Sequence, residues 1–177
     1  MHYLKEYQMI RILLLFIPLL LIGCSRNHET VPKVDLPRFM GDWYVIAILP
    51  NFIEKNTANG IESYILKDDG TIGITYTFRK GSPTGKKKVM QPKAKVYNKD
   101  TNAEWRVQFL WPFWAAYLVI DLAEDYRYTA IGVPNRKWLW IMSRSSTIAD
   151  EDYAGIIARL DKMGYKTAKV KKLPQVW

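Results

Sequence analysis

The chain has 177 residues, a formal net charge of +9, two histidines and one cysteine. That length suits one domain with a real core. A single thiol excludes a disulfide within the chain and a thiolate metal cluster. Histidines only at positions 2 and 28 argue against a Ser-His-Asp triad, a His-ligated haem and a His-based zinc site within the later, folded part.

The first element is the apolar run Ile12 to Ile22, closed by Gly23-Cys24-Ser25. A bilayer-spanning helix needs roughly 20 apolar residues. The core of a signal peptide needs about 7–15 after a basic start. Lys5 and Arg11 supply that start, and Met9 is a second candidate initiator beside Met1. Leu21-Ile22-Gly23-Cys24 resembles the lipobox of bacterial lipoprotein precursors. The resemblance implies cleavage before Cys24 and lipidation of Cys24, which leaves no free thiol. Two or more acyl signals hold a protein stably on a bilayer. Ser25, where an Asp would retain the protein in the inner membrane, resembles the default for the outer membrane. The alternatives for this run are a buried helix or an uncleaved anchor.

The expected organisation is a signal peptide over 1–23, a lipidated tether over 24–37 and a folded domain over 38–177. The tether is polar, with Pro32 and Pro37. Strands follow from Gly41 onward. Trp43 to Ile48 and Ile61 to Leu66 are the first two, and Lys67-Asp68-Asp69-Gly70 reads as a hairpin turn. Ile72, Ile74, Tyr76 and Phe78 alternate with Gly73, Thr75, Thr77 and Arg79, a period of two with one apolar face. Gly81 to Gly85 breaks it. Val89 to Tyr97 is a weaker strand, and Pro92 within it predicts a bulge or an edge. Trp105, Val107 and Phe109 alternate with polar residues. Tyr117 to Leu122, Tyr126 to Val133 and Trp138 to Ser143 complete the set. Short strands at this spacing predict a sandwich or a barrel. One stretch reads as helical: Tyr153, Ile156, Ile157, Leu160 and Met163 form a stripe, behind Asp150, Glu151 and Asp152 and ahead of Gly164.

Three motifs then stand in order. Gly41-Asp42-Trp43-Tyr44, Glu124-Asp125-Tyr126 and Trp140-Ile141-Met142-Ser143-Arg144 resemble the three motifs of the lipocalin family, most closely those of bacterial outer-membrane lipoprotein lipocalins. The second departs from the pattern, with Glu124 for Thr and Thr129 for a frequent Tyr. The resemblance covers roughly Asp35 to Pro174. It implies an all-β fold: an eight-stranded antiparallel up-and-down barrel, closed at one end, with one C-terminal helix packed outside. It implies that Gly41, Trp43, Asp125, Tyr126 and Arg144 are structural, with Arg144 across the Trp43 indole as a cation–π pair.

An eight-stranded barrel encloses packed side chains or one small ligand. The candidate pocket residues are Ile74, Tyr76, Phe78, Trp105, Phe109, Tyr117, Tyr128, Trp138 and Trp140, with the face open to a one-residue slip on several strands. Such a cup suits an acyl chain, at about 0.8 kcal/mol per buried methylene. Leu110 to Tyr117 is unusually apolar for a loop. It reads either as local packing beneath the closed end or around the helix, or as a dimer or membrane contact, and the resemblance favours a homodimer. The basic runs Lys86-Lys87-Lys88 and Lys169 to Lys172 read as solvated loops or as contact with anionic headgroups. An exported chain gives little reason to invoke nucleic acid. The expected function is a protein lipid-anchored in the outer membrane, on the periplasmic side. It would store or transport fatty acids or lysophospholipids for envelope maintenance under stress, without cofactor, metal or catalysis. The alternatives are a structural or adhesive envelope lipoprotein with a filled barrel and, less favoured, an enzyme on the same fold using a buried Tyr or Glu.

Overall fold

The computed structural model describes residues 29–51, 54 and 56–177. The apolar run, the Cys24 lipidation site and both histidines lie outside the described residues.

A short helix α1 (Leu36–Phe39) leads into nine strands. They are β1 (Gly41–Ile48), β2 (Thr57–Leu66), β3 (Thr71–Lys80), β4 (Lys87–Met90), β5 (Lys93–Asn98), β6 (Glu104–Leu110), β7 (Phe113–Leu122), β8 (Tyr128–Gly132) and β9 (Leu139–Ser143). Neighbours pair antiparallel, and β9 returns to β1 through Tyr44 opposite Ser143 and Ile48 opposite Trp140. The sheet is therefore closed. β4 and β5 both pair with β3 and are separated by Gln91-Pro92. Proline has no N–H to give the ladder, so one barrel strand is split in two and the barrel counts as eight-stranded. The single weaker strand expected over Val89 to Tyr97, with a bulge or an edge at Pro92, is instead two short strands broken there.

Helix α2 (Asp150–Lys162) lies on the outside. Its first turn is acidic and its last turn carries Arg159 and Lys162, which complements the helix dipole. Gly164, at φ +81°, follows its end in the left-handed region that glycine adopts without strain. Ile156 and Leu160 are fully buried against Leu118, Ile120, Ala130, Leu139 and Ile141, the outward residues of β7–β9. Arg159 pairs with Asp121 at 2.8 Å beneath it. After a 3₁₀ turn (Thr167–Lys169), β10 (Lys171–Lys172) pairs antiparallel with the end of β1, Ala47 opposite Lys172 and Ile48 opposite Lys171. Gln175 donates to Val45 O at 2.8 Å, so the tail is strapped across the barrel wall.

The fold begins earlier than the expected boundary at residue 38. Val34 is fully buried and its N–H donates to Thr101 O at 2.7 Å. The Asp35 side chain caps α1 by accepting from Arg38 N, and Pro37 pre-sets its first turn. Residues 34–37 belong to the domain because α1 places Phe39 under the barrel. The chain thus has a second helical stretch, too short for periodicity to reveal.

Gly41 enters β1 at φ +92°, a conformation that a side chain would strain. Trp43 is fully buried and donates from Nε1 to Phe39 O at 2.9 Å. The Arg144 guanidinium lies 3.8 Å from the Trp43 ring and donates to Asp42 O and Arg38 O at 2.9 and 2.7 Å. At the same end the Tyr126 hydroxyl accepts from Asp35 N at 2.8 Å, and Asp125 pairs with Arg127. Replacing Arg144 by Met, which keeps much of the stem, removes the cation–π contact and leaves those carbonyls without the guanidinium. The expected loss is about 1–3 kcal/mol in urea unfolding.

Candidate functional site

The barrel interior has two tiers. In the lower tier Phe39, Trp43, Tyr64 and Trp105 pack edge to face or tilted, with ring centroids 5.1–5.8 Å apart. Tyr117 stacks on Trp105 at 5.7 Å and forms the top of this layer. Above it is a cavity of about 320 Å3. It lies towards the end where β1, β3 and β6 finish, opposite the Trp43 plug. Small residues leave this space. Ala115 lies opposite Val107 on the inward face of β7, where a larger side chain would fill the mouth.

Ile74, Tyr76, Phe109, Tyr117, Trp138 and Trp140 line the cavity. Three other candidates do not. Phe78 is buried beside Tyr76 at 4.9 Å, part of the packed wall. Trp105 faces inward but belongs to the sealed lower tier, because period two gives the face and not the depth along the barrel axis. Tyr128 points outward, beneath Arg159 of α2, whose guanidinium donates to its hydroxyl at 3.1 Å. Both faces of β8 are covered, one by the barrel interior and one by the helix, so alternation there carries no information about the inside.

The residues that sequence reasoning missed are mainly polar or small: Glu54, Glu62, Met90, Pro92, Ala115, Ala116 and Val133. Glu62 is the most consequential. It sits on β2 opposite Trp43 and Tyr76, 6% exposed, inside the barrel. Its Oε2 accepts from the hydroxyls of Tyr64 and Tyr117. The only signal for it in the sequence is its spacing, two residues before the inward Tyr64. Glu54, in the loop before β2, accepts from Trp140 Nε1 at 3.0 Å and from Asn51 Nδ2 at 2.6 Å. Burial raises the Glu62 carboxyl from about 4.5 to about 7, the hydroxyl bonds oppose this, and the nearby Glu54 charge adds to it. The Tyr64 and Tyr117 hydroxyls are pushed well up, first by burial and then by the Glu62 charge.

The Leu110–Trp114 stretch stands at the open end, between β6 and β7. Leu110, Trp111 and Phe113 are 71–80% exposed, so the stretch packs neither under the closed end nor around α2. Lys95 lies 4.7 Å from the Trp114 ring. The Lys86–Lys88 run also falls at the open end, at the entry to β4.

The sequence matches the model of the lipocalin-like domain over residues 34–175. The chain belongs to the lipocalin family. It is 31% identical over 157 residues to the outer membrane lipoprotein Blc of Escherichia coli K12, covering 85% of this chain and 87% of that protein. It is 31% identical over 160 residues to temperature-induced lipocalin-1 of Arabidopsis thaliana, covering 85% and 84%. Among solved structures, lobster apocrustacyanin A1 superposes with a TM-score of 0.65 at 16% identity, covering 86% and 94%. Insecticyanin of the tobacco hornworm gives 0.64 at 21%, covering 83% and 84%. These likenesses establish the lipocalin fold.

The raised Glu62 carboxyl makes this lipocalin sensitive to pH. The uncharged form is favoured in the folded state, so the stability it contributes is complete below about pH 4.5. It is lost as pH rises through about 7. Glu62→Gln is uncharged throughout. The stability of this variant relative to the parent should grow by about 3 kcal/mol between pH 4.5 and 8, at 1.36 kcal/mol per pH unit. Urea midpoints across that range check it.

Proposed function

We propose that this lipocalin binds an amphiphile with an acyl or alkyl chain in its upper cavity, while lipidated Cys24 holds it at the outer membrane. The observation that carries the reading is the open cavity itself. A structural protein with a filled barrel has no need of about 320 Å3 of unfilled interior above a sealed aromatic floor. That volume lies near the small end of ligand sites. It suits one chain, or one end of a larger ligand, rather than a whole lipid. The lining is mostly aromatic and aliphatic, which rewards buried methylenes.

The names of the bacterial relatives support the placement at the outer membrane, as does the lipobox. Fatty acids and lysophospholipids are the candidate ligands, and storage or transfer in envelope maintenance under stress is the candidate role. Binding rather than catalysis is the chemistry that such a cup serves. The exposed Leu110–Trp114 stretch is the candidate face for a homodimer or for contact with the bilayer, since contiguous apolar surface marks a partner.

Trp138 and Trp140 line the cavity, so its occupancy should be visible in their fluorescence. Adding lysophospholipid or fatty acid to the soluble domain is expected to give a saturable change at micromolar concentration. Ala115→Trp should fill the mouth and weaken that binding at least tenfold with an unchanged melting temperature. An unsaturable response in the parent protein would contradict the reading.

A further inference from the structure

The cavity gathers two buried carboxylates with no positive charge beside them. Glu54 and Glu62 both line it, and no Lys, Arg or His stands among the described lining residues. Glu62 Oε2 is held by two tyrosines, while its Oε1 makes no hydrogen bond among the described residues. Tyr76 lines the same space, 6% exposed, and its hydroxyl makes no hydrogen bond of good geometry among the described residues. Glu54 and Glu62 both lie near enough to act on that hydroxyl electrostatically. A buried polar group left unpaired costs about 1–3 kcal/mol, and two neighbouring buried carboxylates repel. The walls here are π faces: Trp138 and Trp140 are 5.8 Å apart between centroids, and Tyr117 is 6.0 Å from Trp140. Carboxylates among aromatic faces are the surroundings in which an ammonium group is stabilised.

We propose that the cavity holds a cation subsite, which takes the ammonium group of an amine-bearing amphiphile on Glu62 and Glu54, among Tyr76, Tyr117, Trp138 and Trp140. The chain of the ligand lies against the apolar part of the lining, Met90, Pro92, Phe109 and Val133. This rests on the proposed function above and sharpens it, because a fatty acid with its head at this place would bring a third carboxylate beside the two. The net charge of the protein argues the other way. At +9 it attracts anions from a distance, so a preference for cations has to come from the cavity.

The groups facing Glu62 are Glu54 from the loop before β2, Tyr64 on β2, Tyr76 on β3 and Tyr117 on β7. None of them supplies a positive charge. Cation affinity therefore follows Glu62 ionisation and rises between pH 6 and 8, where an alkylamine remains charged.

The test compares decylamine, decanol and decanoate by tryptophan fluorescence on the soluble domain, with lysophosphatidylethanolamine as the arm that separates a lipid headgroup from a free amine. At pH 8 decylamine should bind at least tenfold tighter than decanoate, and its affinity should fall several-fold at pH 6. Glu62→Gln should shrink the ratio of decylamine to decanol affinity about tenfold. If that variant does not fold, the pH profile of the parent protein decides. Lysophosphatidylethanolamine binding with the same pH trend assigns the site to a headgroup, and decylamine binding alone assigns it to a free amine. Decanol binding without any preference for decylamine would overturn the cation subsite and leave the apolar cup standing. No binding of any decyl compound would overturn both.

Discussion

Arg144 stacked on Trp43, with the indole N–H held by Phe39 O, closes one end of the barrel. A closed sheet of eight strands has an interior that side chains only just fill, so what is solid and what is hollow depends on where the large ones go. Here α1 brings Phe39 under the barrel, and Trp43, Tyr64 and Trp105 complete a layer of rings across it. The mass is spent at the bottom. Above Tyr117 the inward positions include Ile74 and Ala115, and a void results. The plug is therefore what makes the cup possible: a well-packed lower half supplies the stability that a hollow upper half forgoes.

The second constraint is polar. Burying Glu62 without a cation costs stability above neutral pH, and the tyrosine bonds to it offset only part of that. A leucine there would pack more cheaply. Glu54 sits on Trp140, Glu62 is held by Tyr64 and Tyr117, and both carboxylates face the same cavity. Natural cores tolerate such conflict mainly where a ligand resolves it. The rest of the lining is apolar, so the cavity suits both parts of an amphiphile.

Much of the fold was legible in the sequence. The alternation from Ile72 to Phe78 gives β3, Pro92 marks an irregularity that proves to be the break between β4 and β5, and the stripe from Tyr153 to Met163 gives α2. The three motifs carried the barrel and its closed end. What failed did so for geometric reasons. Trp105 faces inward, but alternation does not record depth, and depth separates the packed lower tier from the cavity wall, while Phe78 packs on Tyr76 instead of lining the space. Tyr128 lies on a strand covered on both sides. Glu62 was hidden because an acid in a strand ordinarily marks the solvent face, and only the barrel's closure shows that this one points in. Residues 34–37 read as tether because a four-residue helix has no period. Leu110 to Trp114 was legible as unusual, and its place at the mouth came only with the strand order.

The central claim is that the upper cavity holds a ligand above a sealed aromatic floor. Native mass spectrometry of the protein extracted from its host membrane, with the released compound identified, tests it most directly. One amphiphile of modest size per chain, absent from an Ala115→Trp variant prepared alongside, is the expected result. A parent protein that emerges with no bound compound, and whose mass is unchanged after exposure to membrane extract, would contradict it.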